Sequence, residues 1–314
     1  KAPLKDYLWG GTRLKTENKK ETDMDKVAES WELACHKDGH SIILNGEAAG
    51  MTLENYVAQQ GKRVLGTHGE RFSCFPLLIK LIDARDNLSV QVHPNDEYAL
   101  RVEGEYGKTE MWYIVDAVPG ASLIYGFSKE ISKEEFQRRI ADDTLLEVCR
   151  KVPVHPGDVF FIESGTLHAI GSGILLAEVQ QNSNTTYRVY DYGRVGKDGK
   201  PRELHVDKAV EVTNLQPVSR DTKAVACPDI FAEYDMQLLA QCNLFTVYDF
   251  QLHGRCHLQA TTASFQSLVV LDGVMELEYS RGIEPLTKGD SFFIPADFGD
   301  YMVKGEGHFI LSMV

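Results

Sequence analysis

One pattern occurs twice in this chain, far apart. "PGDVFFIESGTLHAI" at 156–170 and "KGDSFFIPADFGDYMV" at 288–303 share the core Gly-Asp-x-Phe-Phe-Ile. Gly and Asp form turns, and an aromatic and β-branched run directly after them signals a strand. A turn-plus-strand unit in both halves predicts two copies of one β architecture. The copies differ at one chemically important place. Ten residues beyond the shared Asp, the first has His168 and the second Asp300.

The rest of the chain agrees with a mainly β protein. Short β-type runs recur between turn residues: "FPLLIKLIDA" (75–84), "NLSVQVH" (87–93), "EMWYIVDA" (110–117), "ASLIYGF" (121–127), "DVFFIES" (158–164) and "GILLAEVQQ" (173–181). Such spacing suggests an antiparallel sandwich or barrel. Helices are few and short. Thr52 caps one over 52–61, Asn95 starts another within 93–103, and Ser132 with Glu135 forms a capping box for 132–151. A fourth runs through 203–212. At 314 residues the chain is long for a single core, so two domains are expected. Periodicity is lost over "NLQPVSRDTKAVACPD" (214–229), which places the boundary between 1–218 and 219–314.

"NLSVQVHPND" (87–96) carries the first chemical signal. Leu88, Val90 and Val92 alternate with Ser89, Gln91 and His93, so a strand here presents one apolar and one polar face. On the polar face Gln91 and His93 stand about 7 Å apart. The Gly-Asp, hydrophobic, then His spacing resembles the cupin jelly roll, which makes the expected fold two cupin-like jelly-roll barrels with a few short helices. The first copy keeps its His and the second, degenerate copy has lost it. Cupin barrels hold an interior site on their strands, and Gln91, His93, Glu110 and His168 fall where such strands converge. Two imidazoles, a carboxylate and an amide oxygen suit a divalent transition metal. The other seven histidines, His40 and His308 among them, lack such a context, His36 aside. The C-terminal copy is expected to be structural, closing one side of the first barrel's mouth.

Charge limits the partners. The formal net charge of −13 argues against nucleic acid and anionic membrane, both of which need basic surface. An anionic small substrate then requires Arg and Lys to converge locally. The sequence has no apolar run of about 18–20 residues, as a membrane span needs. Its six cysteines are spread out without a C-x-x-C pair, the usage of reduced thiols. A cytoplasmic enzyme is the expected setting.

Six stretches in order, "WGGTRL" (9–14), "AESWELACH" (28–36), "FPLLIKLIDARDNLSVQVHPND" (75–96), "GKTEMWYI" (107–114), "GTLHAI" (165–170) and "LLAEVQQNSNTTYRVYDYGR" (175–194), resemble the type I mannose-6-phosphate isomerases in their short form. That resemblance implies one Zn2+ per chain, held by Gln91, His93, Glu110 and His168. It implies interconversion of mannose 6-phosphate and fructose 6-phosphate through an enediol, by a monomer or homodimer whose catalytic domain is 1–218. Candidates for the proton-transferring groups are Glu178, Lys108 and His36, the last serving ring opening. Arg188 matches the family's essential arginine and Arg194 a second basic position, both suited to phosphate. Lys80, a charge amid aliphatic residues, and Ser89, on the face of Gln91, are further phosphate candidates. Two other readings share the ligand types: an iron oxygenase on a two-His, one-carboxylate site, and a sugar-phosphate-binding cupin without turnover.

Overall fold

"LLIKLIDA" and "ILLAEVQQ" are nearly continuous apolar runs rather than clean alternations. In the computed structural model, which describes residues 1–196, 199–218 and 227–314, they are the Leu77–Ala84 and Ile174–Gln181 strands, and every residue in both is buried. They are neighbours at the centre of a six-stranded antiparallel sheet. Its order is Leu4–Lys5, Glu29–Leu33, Leu77–Ala84, Ile174–Gln181, Glu110–Ala117, Val159–Ile162. A sheet covered on both faces needs apolar side chains on both, which removes the two-residue period.

A five-stranded sheet covers the inner face: Tyr187–Tyr190, Val90–Val92, His168–Ala169, Ser122–Phe127, Cys149–Pro153. Ile82, Trp112, Ile114 and Leu176 from the first sheet interlock with Leu123, Tyr125 and Val152 from the second. Behind the five-stranded sheet, Val90, Val92, Tyr187 and Val189 pack on Phe136 of the Lys133–Ala141 helix and on Ala209 and Val210 of the Val206–Val212 helix. The short strand in "NLSVQVHPND" is therefore enclosed on both sides, with Ser89 and His93 buried inward and Gln91 half-buried.

The second half is a seven-stranded sheet built on three long strands, Thr246–Ala260, Gly299–Met313 and Gln266–Tyr279. It folds over its own core of Phe250, Leu268, Leu277, Val303 and Phe309. The register of Gln266–Tyr279 against Gly299–Met313 shifts between Val270 and Asp272, beside Gly273 at φ +92°. A bulge of this kind bends a strand. The cupin-like, mainly β architecture stands, with strands in separate sheets rather than closed rings of paired strands.

Two expectations are corrected. The C-terminal half does not close a mouth. Its Phe245, Val247, Phe265 and Ile310 pack on Ile79, Leu81, Met111 and Tyr113, the outer face of the six-stranded sheet. The halves thus share a core, and the expected boundary between 218 and 219 adjoins residues 219–226, outside the described ones. The helix expected over 132–151 ends at Ala141. Asp143 takes the left-handed conformation at φ +60°, a 3-10 turn follows at Leu145–Val148, and Cys149–Pro153 becomes the edge strand of the five-stranded sheet. The three predicted caps form: Thr52, Asn95 and Ser132 accept from the backbone N–H of Asn55, Tyr98 and Glu135. Among the described residues no helix is long and apolar enough to cross a membrane.

The repeated Gly-Asp has a local cause. Gly157 and Gly289 have φ of +86° and +91°, a region open to Gly at little cost. The Asp158 carboxylate accepts from the His155 N–H at 2.8 Å, and Asp290 from the Thr287 N–H at 2.8 Å. Their surroundings differ. A Cβ at Gly157 meets nothing within 4 Å, whereas one at Gly289 lies 2.1 Å from the Asn18 carbonyl oxygen. Gly157→Ala is expected to cost about 1 kcal/mol of backbone strain. Gly289→Ala adds a clash with the N-terminal segment and is expected to cost roughly 3 kcal/mol. Urea denaturation measures both, and equal losses would show that the second turn is not a close contact between the halves.

Candidate metal centre and charge cluster

Strand register assembles the site. Trp31, Lys80, Glu178 and Trp112 stand opposite one another on four successive strands of the six-stranded sheet, and Gln180 and Glu110 form the adjacent pair. From the facing sheet, His168 and Arg188 are both cross-strand neighbours of Gln91. Inward positions on two unrelated sheets are thus brought to one place by pairing alone.

The ligand atoms of His93, Glu110 and His168 all lie within 4.8 Å of one another, and all three residues are buried. His93 Nε2 is 3.1 Å from His168 Nε2, and the Glu110 carboxylate lies 3.7 Å from the first and 3.4 Å from the second. Each imidazole is oriented through its other nitrogen. His93 Nδ1 contacts the Thr185 carbonyl at 2.9 Å and His168 Nδ1 the Thr166 carbonyl at 2.8 Å. Those contacts leave both Nε2 atoms as ligands, the arrangement of metal-binding histidines. Neither Glu110 oxygen accepts a well-formed hydrogen bond, although Lys108 Nζ is 2.7 Å from one of them. Converging imidazole nitrogens and an unsatisfied buried carboxylate fit a divalent cation. Gln91 points along the same face, half-buried.

Beside the ligands lies a second group of charges. Lys108 Nζ is 3.2 Å from His93 Nε2 and 3.9 Å from Glu178. Lys80, expected near phosphate, instead sits among carboxylates, 3.1 Å from Glu178 and 3.8 Å from Glu29. Trp112 donates to Glu178 at 2.8 Å and Trp31 to Glu29 at 2.7 Å. Burial disfavours the charged form of every group here, and neighbouring charges either reinforce or reverse that shift. Burial and the Glu178 charge push Glu110 up to about 7. Burial works on Glu178 too, but Lys108 and Lys80 hold it down to about 2. Burial pushes His168 down to about 4 and His93 well below its ordinary value.

His36 is not part of this cluster. It lies at the Cys35–His36/Gly39–His40 hairpin, its ring against Trp31, with Nε2 3.6 Å from Glu105 and Nδ1 3.5 Å from Asp38. Glu105 in turn accepts from Thr185 Oγ1 at 3.3 Å, so His36 braces the loop that orients His93. Arg188 donates to the Glu203 carbonyl at 2.9 Å and to Ser89 Oγ at 3.3 Å. Arg194 and Arg202 both bind the buried Asp191. The sequence reading missed the tryptophan donors, Glu29, Asp191 and Arg202. Trp112 shares the strand face of Glu110, a signal already visible. Arg202 lies in a loop whose return path no local pattern discloses.

Comparison with known proteins places the chain in a family. Residues 1–112 match the model of the phosphomannose isomerase type I catalytic domain, and residues 235–314 that of the mannose-6-phosphate isomerase cupin domain. The chain is 37% identical to mannose-6-phosphate isomerase ManA of Bacillus subtilis, covering 99% of this chain and 97% of that one. It is 42% identical to the mannose-6-phosphate isomerase of Streptococcus mutans over 69% of this chain and 67% of that one. The crystal structure of the mannose 6-phosphate isomerase from Bacillus subtilis superimposes with a TM-score of 0.93 at 35% identity, covering 100% of this chain and 98% of that one.

The ion pairs set a pH dependence. The Glu178 carboxyl is depressed in the fold, so the stability it contributes is present above the ordinary carboxylate value and is lost as pH falls toward 2. Denaturant melts between pH 6 and pH 3 should therefore fall more steeply for the wild type than for Glu178→Gln. Lys80→Met strands two buried carboxylates and is expected to cost about 3–5 kcal/mol at neutral pH. A loss under about 1 kcal/mol at neutral pH would mean that the cluster is hydrated rather than sealed.

Proposed function

The chain belongs to the type I mannose-6-phosphate isomerases, and we propose that its reaction, the metal-dependent interconversion of mannose 6-phosphate and fructose 6-phosphate, is carried out at the His93–Glu110–His168 centre. The observation that carries this placement is the convergence of those three ligand groups with Lys108 and the Lys80–Glu178 pair, in a buried site flanked by arginines. Gln91 joins as a fourth ligand from the strand position opposite His168. The two-imidazole, oxygen-rich set favours one Zn2+ per chain.

The chemistry moves a proton between neighbouring carbons of the open-chain sugar through an enediol. A bound divalent cation supplies Lewis acidity that stabilises the developing enediolate charge. The protein must supply the proton carrier. Lys108 and Lys80 hold the Glu178 carboxyl below its ordinary value against the effect of burial, which favours its charged form and an ion-pairing role. Lys108 stands nearest the ligand atoms, beside Glu110 and Glu178, so we assign it the proton transfer: its ammonium gives a proton to the sugar oxygen that becomes an enediol hydroxyl, the amine so formed takes the proton from the neighbouring carbon, and Glu178 orients it. Lys80 neutralises Glu178 and is reassigned from phosphate binding to that role. His36 acts on the site through Glu105 and Thr185 rather than on the sugar ring. Arg188, supported by Ser89, binds the phosphate; Arg194, the second basic candidate, is bound nearby to Asp191 and Asn87. A guanidinium fork matches phosphate oxygens in a way an ammonium does not.

On this reading residues 1–218 form the catalytic domain and 219–314 a degenerate cupin-like domain that backs its central sheet. All six cysteines are free, in keeping with a reducing, cytoplasmic setting. Chelation should abolish the isomerase reaction in a coupled assay, and zinc should restore it. Full turnover by metal-free protein would refute the placement. Arg188→Lys should lower kcat/KM by at least about 100-fold, near 2.7 kcal/mol, with bound metal unchanged. Loss of metal in that variant would give Arg188 a structural role instead.

A further inference from the structure

Arg188 is a half-buried guanidinium whose hydrogen bonds go to neutral acceptors, the Glu203 carbonyl and Ser89 Oγ. Among the described residues no carboxylate lies within ion-pair distance of it. A partly buried cation without a counter-charge is costly unless an anion arrives. Close by, Asp191 is buried and binds two further arginines. Arg202 grips it with a fork, Nε to Oδ2 at 2.7 Å and Nη2 to Oδ1 at 2.5 Å, and Arg194 Nη2 reaches Oδ1 at 2.5 Å. Among the described residues, three guanidiniums against the one carboxylate they bind leave an excess of 3 − 1 = +2 at this point, with Glu203 a further, more distant negative charge, and that excess suits a phosphate dianion.

The two supporting arginines are not equivalent. Each of the three guanidinium nitrogens of Arg194 is engaged: Nε with the Asp191 carbonyl at 3.2 Å, Nη1 with the Asn87 carbonyl at 2.5 Å, and Nη2 with the Asp191 carboxylate. Arg202 commits one edge to Asp191, and among the described residues no hydrogen bond engages its Nη1. Backbone contacts hold Arg202 beside Arg188. The His205 N–H donates to the Arg188 carbonyl at 2.8 Å, and the Glu203 carbonyl that binds Arg188 follows Arg202 directly. The turn that makes this possible is strained. Tyr192 has φ +57°, a left-handed conformation rare outside Gly, while its ring lies under Arg194 at 5.4 Å. Strain of this kind persists where surrounding contacts enforce it and gathers at binding sites.

We propose that Arg202 is a phosphate-binding residue of this enzyme, acting beside Arg188, and that Asp191 is the positioning residue that aims it. This rests on the isomerase function proposed for the site and adds the residues that make it selective for a phosphorylated sugar. Arg194 then serves chiefly to lock Asp191 to the Asn87 loop.

The test uses the zinc-loaded full chain, with inorganic phosphate as probe in calorimetric titrations and mannose 6-phosphate in kinetics. Arg202→Ala should weaken phosphate binding at least tenfold and raise KM in parallel, with kcat falling less than KM rises and zinc content preserved. Asp191→Asn should shift the same two quantities in the same direction. Arg202→Lys keeps the charge without the fork and should fall between; it carries the test if the alanine variant does not fold. Phosphate affinity within twofold of wild type in these variants overturns the proposal. A wild type that binds phosphate but does not isomerise the sugar fails the catalytic reading alone, because calorimetry reads the anion site without turnover.

Discussion

The ion pair between Lys80 and Glu178 is the interaction on which the site depends. Both side chains are sealed between two sheets, where an unpaired charge is heavily penalised. Their strands are neighbours in strict register, so the pair forms as soon as the central sheet does. Glu29 and Glu110 bring the carboxylates to three, and Lys108 brings the ammoniums to two. Trp31 and Trp112 close the row with N–H donors. A metal centre placed beside this row faces fixed charges rather than water, and fixed dipoles and charges are what stabilise an enediolate without reorganisation.

The same register explains how much was legible in the sequence. His93, Glu110 and His168 could be assigned to one interior because strand alternation alone fixes which face a residue occupies. The helix starts at Thr52, Asn95 and Ser132 were equally readable, since a cap is a local hydrogen bond. What failed needed long-range information. Lys80 was expected near phosphate because an isolated lysine in an apolar run gives no hint of which carboxylate lies on the next strand. The end of the 132–151 helix was hidden because its last segment is claimed by a sheet edge. Asp191 and Arg202 meet across a loop tied by the Val195–Pro201 bridge, and no periodicity announces such a closure.

The duplicated Gly-Asp turn shows one local solution put to two uses. In the first half it precedes the strand that leads to His168. In the second half the same turn presses on the Asn18 backbone, and Ser291, just beyond it, donates to the Glu32 carbonyl at 3.2 Å. The second copy has Asp300 where the first has His168, and its sheet packs on the back of the six-stranded sheet, which is why that sheet can carry apolar residues on both faces.

Both metal-type histidines are oriented by main-chain carbonyls, those of Thr185 and Thr166, and not by side chains. A carbonyl cannot be removed by a point substitution. The orientation of each imidazole is therefore written into the path of the backbone, which at Thr185 is itself braced by the hydroxyl's hydrogen bond to Glu105. The orientation of both imidazoles is thereby inherited with the fold.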